Sequence, residues 1–354
     1  MTNLIVIVGI TGVQGSSVAN AFLNNPDYSI RGTTRDPSSA KARALAAKGI
    51  EIAQADLNDV ASLQRAFHNA TLIFGVTDFW TIFQDPQSFL RKRRDQELVE
   101  YCHDIELQQG KNLADAAAVV STLKRYIFSS MANATRTSSG KYSQLYHMDS
   151  KAKAVEYAQT LGGLKDKFSQ IQAPIYFELP WEWGLPTTPK MVWQCCRNLC
   201  HCGKQDKRAN LGVQQHKNGY RMTVPGPSTL PVPFGHVSVN FGKCVLALSD
   251  LPPNTNFFAI GDPVSWEEYL RIFCSSQGLT FGGIDEASYA EFCTLLPGGL
   301  GHEFAQNVLF AHEFGYEGRG EIVRPKDIGL KMTTFEAYCE KTDFSAIMNG
   351  HAEE

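Results

Sequence analysis

A glycine-rich turn lies close to the start of the chain. Gly9, Gly12 and Gly15 form a Gly-x-x-Gly-x-x-Gly pattern, which follows an apolar run at residues 4–8 and leads into a stretch of helical composition. Glycines at this spacing allow a tight turn and let the backbone approach a pyrophosphate, while the first turn of the helix offers unpaired N–H groups. A purely structural turn is the alternative, but the position between a first strand and a helix favours a dinucleotide site. The expected contact residues are Gly9, Thr11, Gly12, Val13, Gln14 and Gly15.

The residues after the second predicted strand discriminate between NAD and NADP. NAD-binding chains commonly place an acidic residue here, which accepts hydrogen bonds from the ribose hydroxyls. This chain has Arg35, whose guanidinium can bind a 2′-phosphate, and Lys41 adds a second positive charge. Asp36 could either meet the ribose hydroxyls or serve as a turn residue before Pro37. The pattern favours NADP(H) as the cofactor.

Two further segments follow predicted strands and are expected to contact the cofactor. Asp56 and Leu57 come after the third strand and are placed to flank the adenine, although an Asp before a helix is equally often an N-cap. Thr77 follows the fourth strand and joins the expected cofactor contacts.

Short apolar runs alternate with helical patterns in the first half of the chain. The predicted strands cover residues 4–8, 29–34, 51–55, 72–76, 125–129 and 175–179, and the predicted helices cover residues 14–24, 40–47, 60–67, 96–121 and 150–172. This order is typical of repeated βαβ units with a parallel sheet. We therefore predict an α/β fold, namely a Rossmann doubly wound parallel sheet with a smaller C-terminal α+β substrate lobe.

Proline, tryptophan and cysteine become frequent from Pro180 onward. Loops of this composition are expected to shape a substrate cleft. We predict an NADP-binding Rossmann domain at residues 1–180 and a substrate or cap lobe at residues 181–354, with part of 235–262 returning to the Rossmann sheet. A strand near 257–260, a helix near 265–277 and a helical tail near 333–341 are expected in the lobe.

Composition excludes several classes of protein. The 354 residues are 43% hydrophobic and carry a formal charge of −3, so nucleic acid is an unexpected partner. The one basic run, residues 91–94, is interpreted as a solvated helix face. No signal-like or membrane-spanning segment is recognised, so a soluble, cytoplasmic protein without a membrane partner is expected. Nine cysteines in such a chain indicate reduced thiols, and the cluster at residues 195–202 fits no common zinc module, so no metal is expected.

Five motifs in register give the chain a resemblance to a known family. They are residues 9–15, Thr34-Arg35-Asp36-Pro37, Ala55-Asp56-Leu57, Gln109-Gly110-Lys111-Asn112-Leu113 and His147-Met148-Asp149-Ser150-Lys151. Over most of its first 260 residues the chain resembles the NmrA-like family of atypical short-chain dehydrogenase relatives. The resemblance implies a Rossmann domain, a smaller C-terminal lobe and a cleft between them. It also implies one of two functions, because some members are redox sensors and others are NADPH-dependent reductases, including fungal tailoring enzymes of natural-product pathways.

The catalytic motif of ordinary short-chain dehydrogenases is only half present. Those enzymes use a phenol as proton donor and a Lys four residues later, which lowers the pKa of the phenol and holds the nicotinamide ribose. Lys151 occupies the lysine position of this motif, but His147 occupies the position of the phenol. Tyr146 and Tyr142 are nearby phenols that could substitute. His147 is itself of a type suited to acid–base work, although a lone histidine is often structural.

Other candidate side chains follow the fifth and sixth predicted strands. Ser129 and Ser130 end the fifth strand, where a hydroxyl could bind a substrate carbonyl or simply turn the chain. The segment after the sixth strand corresponds to the family segment beside the nicotinamide, so cofactor contacts are expected from Leu179, Pro180 and Trp181. Glu182 could steer a cationic amine or be a surface carboxylate.

Aromatic residues concentrate after the fourth and sixth strands. The predicted substrate contacts are Phe79, Trp80, Phe83 and Trp183. Aromatic residues carried on loops favour a flat, bulky, apolar substrate, and core packing is the alternative.

These observations support two hypotheses. The first is an NADPH-dependent oxidoreductase that acts on a C=N, C=O or conjugated C=C of an alkaloid-like aromatic metabolite, with ring formation as a subsidiary possibility. The absent Tyr favours an iminium substrate, since its reduction needs no proton delivered to oxygen. The second is a non-catalytic NADP(H) sensor that regulates a protein partner.

Overall fold

A seven-stranded parallel sheet forms the centre of the molecule. It was described from a computed structural model, which covers residues 2–180, 212–216, 219–295 and 299–345. The strands are β1 Asn3–Ile7, β2 Tyr28–Thr34, β3 Glu51–Gln54, β4 Leu72–Gly75, β5 Arg125–Ser130, β6 Phe168–Gln172 and β11 Asn256–Phe258. Their order is β3-β2-β1-β4-β5-β6-β11, so the winding direction reverses between β1 and β4. The predicted doubly wound α/β fold is confirmed. In sheets of this kind ligands bind at the edge where the strands end, which we call the ligand edge.

Helices cover both faces of this sheet. One face carries α1 Val13–Phe22, α2 Ala40–Ala46 and α9 Val237–Asp250, and the other carries α3 Val60–Ala66, α6 Leu98–Ala118 and α8 Tyr146–Thr160. The central strand β1 is apolar on both sides because Ile5 and Ile7 pack towards α1 while Val6 packs towards α6. Helix α9 lies close against α1, since a Cβ at Gly242 would come within 2.0 Å of the Ser17 carbonyl oxygen.

The prediction of a helix over residues 150–172 was wrong in its second half. Helix α8 ends at Thr160, and a 3₁₀ turn at Gly162–Leu164 leads into β6. A Cβ at Gly163 would lie 2.2 Å from the Ala118 carbonyl oxygen, so the chain crosses α6 closely at this point. Within β6, Phe168 and Ile171 pack on opposite faces of the sheet, which is the pattern of a strand. Of the predicted strand 175–179, the structure retains only β7 Ile175–Tyr176. This strand belongs to a second, smaller sheet and not to the large one.

The C-terminal part adds two small sheets and four helices among the described residues. One sheet has the order β12-β10-β7, with β10 Pro231–Gly235 and β12 Asp262–Ser265. The other has the order β13-β9-β8, with β8 Gly212–His216, β9 Gly219–Pro225 and β13 Phe281–Ala287. The helices are α10 Trp266–Ser276, α11 Tyr289–Leu295, α12 Leu300–Phe314 and α13 Phe335–Lys341. Strand β11 lies in the large sheet beside β6.

Several short elements between β4 and β6 were not predicted as separate units. They are α4 Phe79–Gln84, α5 Pro86–Arg91 and α7 Ala134–Thr137. The basic run 91–94 lies at the end of α5 and just beyond it, and Arg91, Arg93 and Arg94 are exposed. Across the described ranges, none of the helices combines the length and the apolar character that a bilayer crossing requires.

Candidate functional site

The glycine turn leads into α1 at the edge where β1 ends. Gly9 has φ +62°, a left-handed conformation that glycine adopts without strain, and its carbonyl accepts the Gly12 N–H at 2.9 Å. A Cβ at Gly15 would lie only 2.2 Å from the Gly9 carbonyl oxygen. Gly12 precedes α1 without providing a side-chain cap, so the first N–H groups of the helix have no intrahelical partner. This geometry fits a bound pyrophosphate.

Gln14 connects the turn to the second half of the chain. Its side-chain amide donates to the Tyr176 hydroxyl at 2.8 Å, across 162 residues of sequence. The Gln14 Oε1 atom is buried and accepts no hydrogen bond from the described residues. Thr11 and Val13 are partly or largely exposed above the turn, so they remain accessible to a nucleotide.

Arg35 and Lys41 lie at the end of β2 and the start of α2, respectively. Both side chains are exposed and form no ion pair with any residue that the structure describes. Asp36, by contrast, accepts hydrogen bonds from the backbone N–H of Ser38 at 2.8 Å and from its hydroxyl, which lower the pKa of this carboxyl. Asp36 therefore organises the turn before α2, and the two neighbouring cations are available to a phosphate.

Asp56 does not cap the following helix. Its carboxylate accepts the Asn58 backbone N–H at 2.8 Å, whereas Asp59 caps the N-terminus of α3. Leu57 is half-buried, and its carbonyl oxygen accepts the Asn112 side-chain amide at 2.8 Å. This α6 side chain thus holds the loop that we expected beside the adenine.

His147 lies in the first turn of α8 and contacts two side chains of α12. Its Nδ1 forms a very short contact with Glu303 Oε1, and its Nε2 lies 3.1 Å from the Asn307 side-chain nitrogen. Glu303 also accepts the backbone N–H groups of Tyr146 at 3.1 Å and His147 at 2.9 Å. The Glu303 side chain is fully buried. A carboxylate from another helix therefore caps α8, where the local N-cap residue Leu145 has no capping side chain.

Lys151 lies one turn further along α8 and pairs with a second buried carboxylate. Its Nζ contacts Glu106 Oε1, and the side chain of Glu106 is fully buried. Ser150 donates to the other carboxylate oxygen, and Thr77 donates to Oε1 at 2.9 Å. Glu106 thus accepts from three side chains, so this buried charge is both paired and hydrogen-bonded.

Both phenols near the catalytic position are hydrogen-bonded to carboxylates. Tyr146 donates to Glu100 at 3.2 Å, and burial together with this carboxylate raises the pKa of the phenol to about 12. Tyr142 donates to Glu313 at 2.8 Å, and burial raises the pKa of this phenol as well. Both hydroxyls therefore point to carboxylates and hold their protons tightly.

The two serines at the end of β5 differ in their partners. Ser130 donates to the Gln170 side chain at 2.8 Å, so it links β5 to β6. Ser129 is almost fully buried, and its hydroxyl has no hydrogen-bond partner within the described ranges. An unsatisfied buried hydroxyl at the ligand edge is suited to receiving a polar group of a bound molecule.

The aromatic residues of α4 are packed rather than open. Phe79 and Phe83 are buried in a hydrophobic cluster with residues of α6, α11 and α12. Trp80 is half-buried, stacks on Phe304 with ring centroids 5.5 Å apart, and lies 5.4 Å from the His147 ring. Phe79 and Trp80 therefore pack beside His147. Of the three aromatic residues of α4, Trp80 is the one that is partly exposed.

Some predicted positions fall at or beyond the limit of the described residues. Leu179 is half-buried and Pro180 is buried immediately after β7. Trp181, Glu182, Trp183 and the cysteines at 195–202 lie outside the described residues. Within the described parts of the chain, no group of three or more His, Cys, Asp or Glu side chains could hold a metal ion.

The two buried carboxylates were not singled out from the sequence. Glu106 lies in the predicted helix 96–121, where an acidic residue on a mostly apolar face was the available signal. Glu303 lies in α12, a helix that was not predicted at all. Its partner His147 is 156 residues away, so no local pattern connects the two.

The sheet order and the glycine turn define a Rossmann-type α/β protein with a dinucleotide-type turn. The sequence profile of the NmrA-like family matches residues 1–178. The NmrA-like family domain-containing oxidoreductase himF of Aspergillus japonicus is 32% identical over 286 residues, which cover 78% of this chain and 73% of that protein. The chain therefore belongs to the NmrA-like family, as the motifs indicated.

Other relatives match a shorter stretch. The NmrA-like family domain-containing oxidoreductase lnaB of Aspergillus flavus is 33% identical over 175 residues, 49% of this chain and 47% of that protein. The matched stretch thus spans about half the length of such relatives.

Solved structures share the fold at low identity. NmrA, a negative transcriptional regulator solved in complex with NADP, gives a TM-score of 0.66 at 17% identity, covering 99% of this chain and 97% of that one. The NADPH-dependent quinone oxidoreductase QOR2 of Escherichia coli, solved with NADPH, gives 0.62 at 17% identity, with 95% and 98% covered.

Proposed function

We propose that the chain is a cytosolic NADP(H)-dependent oxidoreductase of fungal secondary metabolism. It transfers a hydride between the nicotinamide and a C=N, C=O or conjugated C=C of a bulky aromatic, alkaloid-like metabolite. The oxidoreductases named among the fungal relatives support this class of reaction. The NADP and NADPH bound by the structural neighbours support the choice of cofactor.

The residues at the ligand edge fit this cofactor. The glycine turn and the uncapped start of α1 would hold the pyrophosphate, and Arg35 with Lys41 would hold the 2′-phosphate. We expect Lys151, Thr77 and the Ser129 hydroxyl, which has no partner among the described residues, to face the nicotinamide half or the substrate. When bound, the reduced nicotinamide supplies the hydride. The protein orients the acceptor, excludes water and provides the electrostatic environment.

One observation favours an iminium acceptor. The side chains in and beside the catalytic positions of α8 are already engaged: His147 and Lys151 with buried carboxylates, and Tyr146 with Glu100. Among the described residues this leaves no uncommitted phenol at α8 to deliver a proton. An iminium carbon accepts a hydride and becomes a neutral amine without any proton transfer, so this site can complete its reduction.

Hydride transfer from labelled cofactor tests the proposal. Stereospecifically deuterated NADPH is incubated with a panel of aromatic iminium ions, enones and ketones, and the products are analysed by mass spectrometry. We expect label in the reduced iminium product, and a cyclised labelled product would add ring formation to the reaction. Titration with NADPH, NADP⁺ and NADH is carried out in parallel. Tight binding of NADPH without transfer to any acceptor would contradict the enzyme proposal.

The engaged side chains also favour a second candidate, an NADP(H) sensor without turnover. NmrA, whose fold this chain shares, is described as a negative transcriptional regulator. A sensor would bind NADP⁺ and NADPH with different affinities and would change its affinity for a protein partner accordingly. Label transfer to a small molecule would decide for the enzyme.

A further inference from the structure

Glu303 makes all of its described polar contacts with the first turn of α8. Its two carboxylate oxygens accept the backbone N–H groups of Tyr146 and His147, and Oε1 also contacts the His147 ring. The side chain is fully buried, and it comes from α12 in the C-terminal part of the chain. A buried carboxylate is stable here because helix dipole, backbone donors and imidazole all face it.

These contacts specify one tautomer of His147. An ionised carboxylate only accepts hydrogen bonds, so Nδ1 must carry the hydrogen that faces Glu303. In the neutral ring Nε2 is then an acceptor, and the Asn307 amide group lies 3.1 Å away as its donor. Glu303 and Asn307 are one turn apart on the same face of α12. A single helix therefore holds both ring nitrogens.

Capping alone does not account for this arrangement. A carboxylate whose only role was to cap the N-terminus of α8 would need the two backbone N–H groups and no contact with an imidazole. The ring contact adds a second constraint, and Asn307 adds a third on the opposite nitrogen. Together they fix the ring plane and occupy both ring nitrogens.

We propose that Glu303 is a positioning residue, which fixes the tautomer and orientation of His147. It acts on hydride transfer only through that ring, which lies 5.4 Å from the Trp80 ring and orients the substrate beside it rather than delivering a proton. The kinetic part of this inference rests on the proposed function, whereas the tautomer does not. The C-terminal part of the chain thereby becomes part of the reaction site, because it supplies the residues that orient the group standing in place of the usual tyrosine.

The experiment compares Glu303→Gln with a matched control on the same helix. Glutamine keeps the size and one acceptor oxygen for the α8 backbone, but it removes the charge. Glu313→Gln is the control, since Glu313 lies at the far end of α12 and pairs with exposed Lys141. His147→Gln and the double variant E303Q/H147Q complete a cycle, and E303D tests rescue by a shorter carboxylate. Folding of each variant is checked by thermal unfolding.

Two measurements are made on each protein. Steady-state kinetics with NADPH and the accepted iminium substrate should show kcat reduced at least about tenfold in E303Q, with the NADPH Kd unchanged and activity partly restored in E303D. The double variant should be no slower than H147Q, because Glu303 has no imidazole to orient once His147 is replaced. Long-range ¹H–¹⁵N spectra should show the Nδ1–H tautomer of His147 in the wild type and in E313Q, and a mixture in E303Q.

The outcomes separate the two proposals. If E303Q slows the H147Q enzyme as much as it slows the wild type, Glu303 does not act through His147 and the inference is wrong. An Nε2–H tautomer in the wild-type protein also overturns it, whether or not turnover is observed. A wild-type protein with the expected tautomer but without hydride transfer supports the positioning of His147 and contradicts the proposed function alone.

Discussion

Removing one charge of the Lys151–Glu106 ion pair should destabilise the fold much more than replacing both residues together. Glu106 is fully buried and Lys151 is 11% exposed, so removing one charge leaves the other in a poorly solvated place. Breaking a buried pair in this way typically costs about 3–5 kcal/mol. In Glu106→Gln the amide oxygen can accept from one of the hydroxyls of Thr77 and Ser150, and the other hydroxyl can accept from the amide nitrogen. The loss therefore reports mainly on unpaired Lys151.

The magnitude is measured as the change in the free energy of unfolding in urea at pH 7. We expect E106Q to be destabilised by about 3 kcal/mol or more, and the double variant E106M/K151M to recover most of that loss because apolar replacements of a buried pair are often nearly neutral. E313Q provides an exposed comparison, since it breaks the Lys141–Glu313 pair at the surface and should destabilise the fold much less than E106Q does. A loss in E106Q no greater than that in E313Q would refute the reasoning.

Three further predictions concern the cofactor turn, the phosphate site and Tyr146. Gly15→Ala should abolish tight NADPH binding and destabilise the fold, because its Cβ would lie 2.2 Å from the Gly9 carbonyl oxygen, whereas Gly162→Ala, with open space around its Cβ, should do neither; calorimetric titration and thermal unfolding measure both. Arg35→Ser should raise the Kd of NADPH at least about tenfold and leave that of NADH unchanged, because a charge-assisted bond to the 2′-phosphate is lost; exposed Lys48→Ser is the control, and equal weakening of both cofactors would place Arg35 elsewhere. Burial and Glu100 raise the pKa of Tyr146 to about 12, above its unfolded value near 10, so the stabilising effect of the protonated phenol is complete below pH 10 and is lost between about pH 10 and 12. The wild-type minus Tyr146→Phe difference in phenolate absorbance should therefore rise only near pH 12, and a midpoint near 10 would show that the phenol is not held by Glu100.

The sequence was sufficient to predict the first five strands of the large sheet because these strands carry their own signal. Strands such as β1 are apolar on both faces, and the glycine turn marks where the first strand ends. The prediction failed at β6, since three of the five residues of Phe168–Gln172 are polar and no proline separates this segment from the preceding helix. Only its pairing between β5 and β11 makes this segment a strand.

The candidate site was only half predictable for a similar reason. His147, Lys151 and the glycine turn stand out by their type and spacing. Their partners do not, because the Lys151–Glu106 contact spans 45 residues and the His147–Glu303 contact spans 156. Asp36 shows a further limit: its role in the turn was seen only with the bonds from Ser38, and a role towards the ribose stays a prediction.

The two carboxylates connect α8 to different parts of the molecule. Glu106 belongs to α6 of the large α/β unit and is shared by Lys151 and two hydroxyls. Glu303 belongs to α12, and all of its described polar contacts go to the backbone and the His147 ring at the start of α8. Substitution of Glu106 should therefore act mainly on the stability of the sheet unit, whereas substitution of Glu303 should act on the position of the His147 ring.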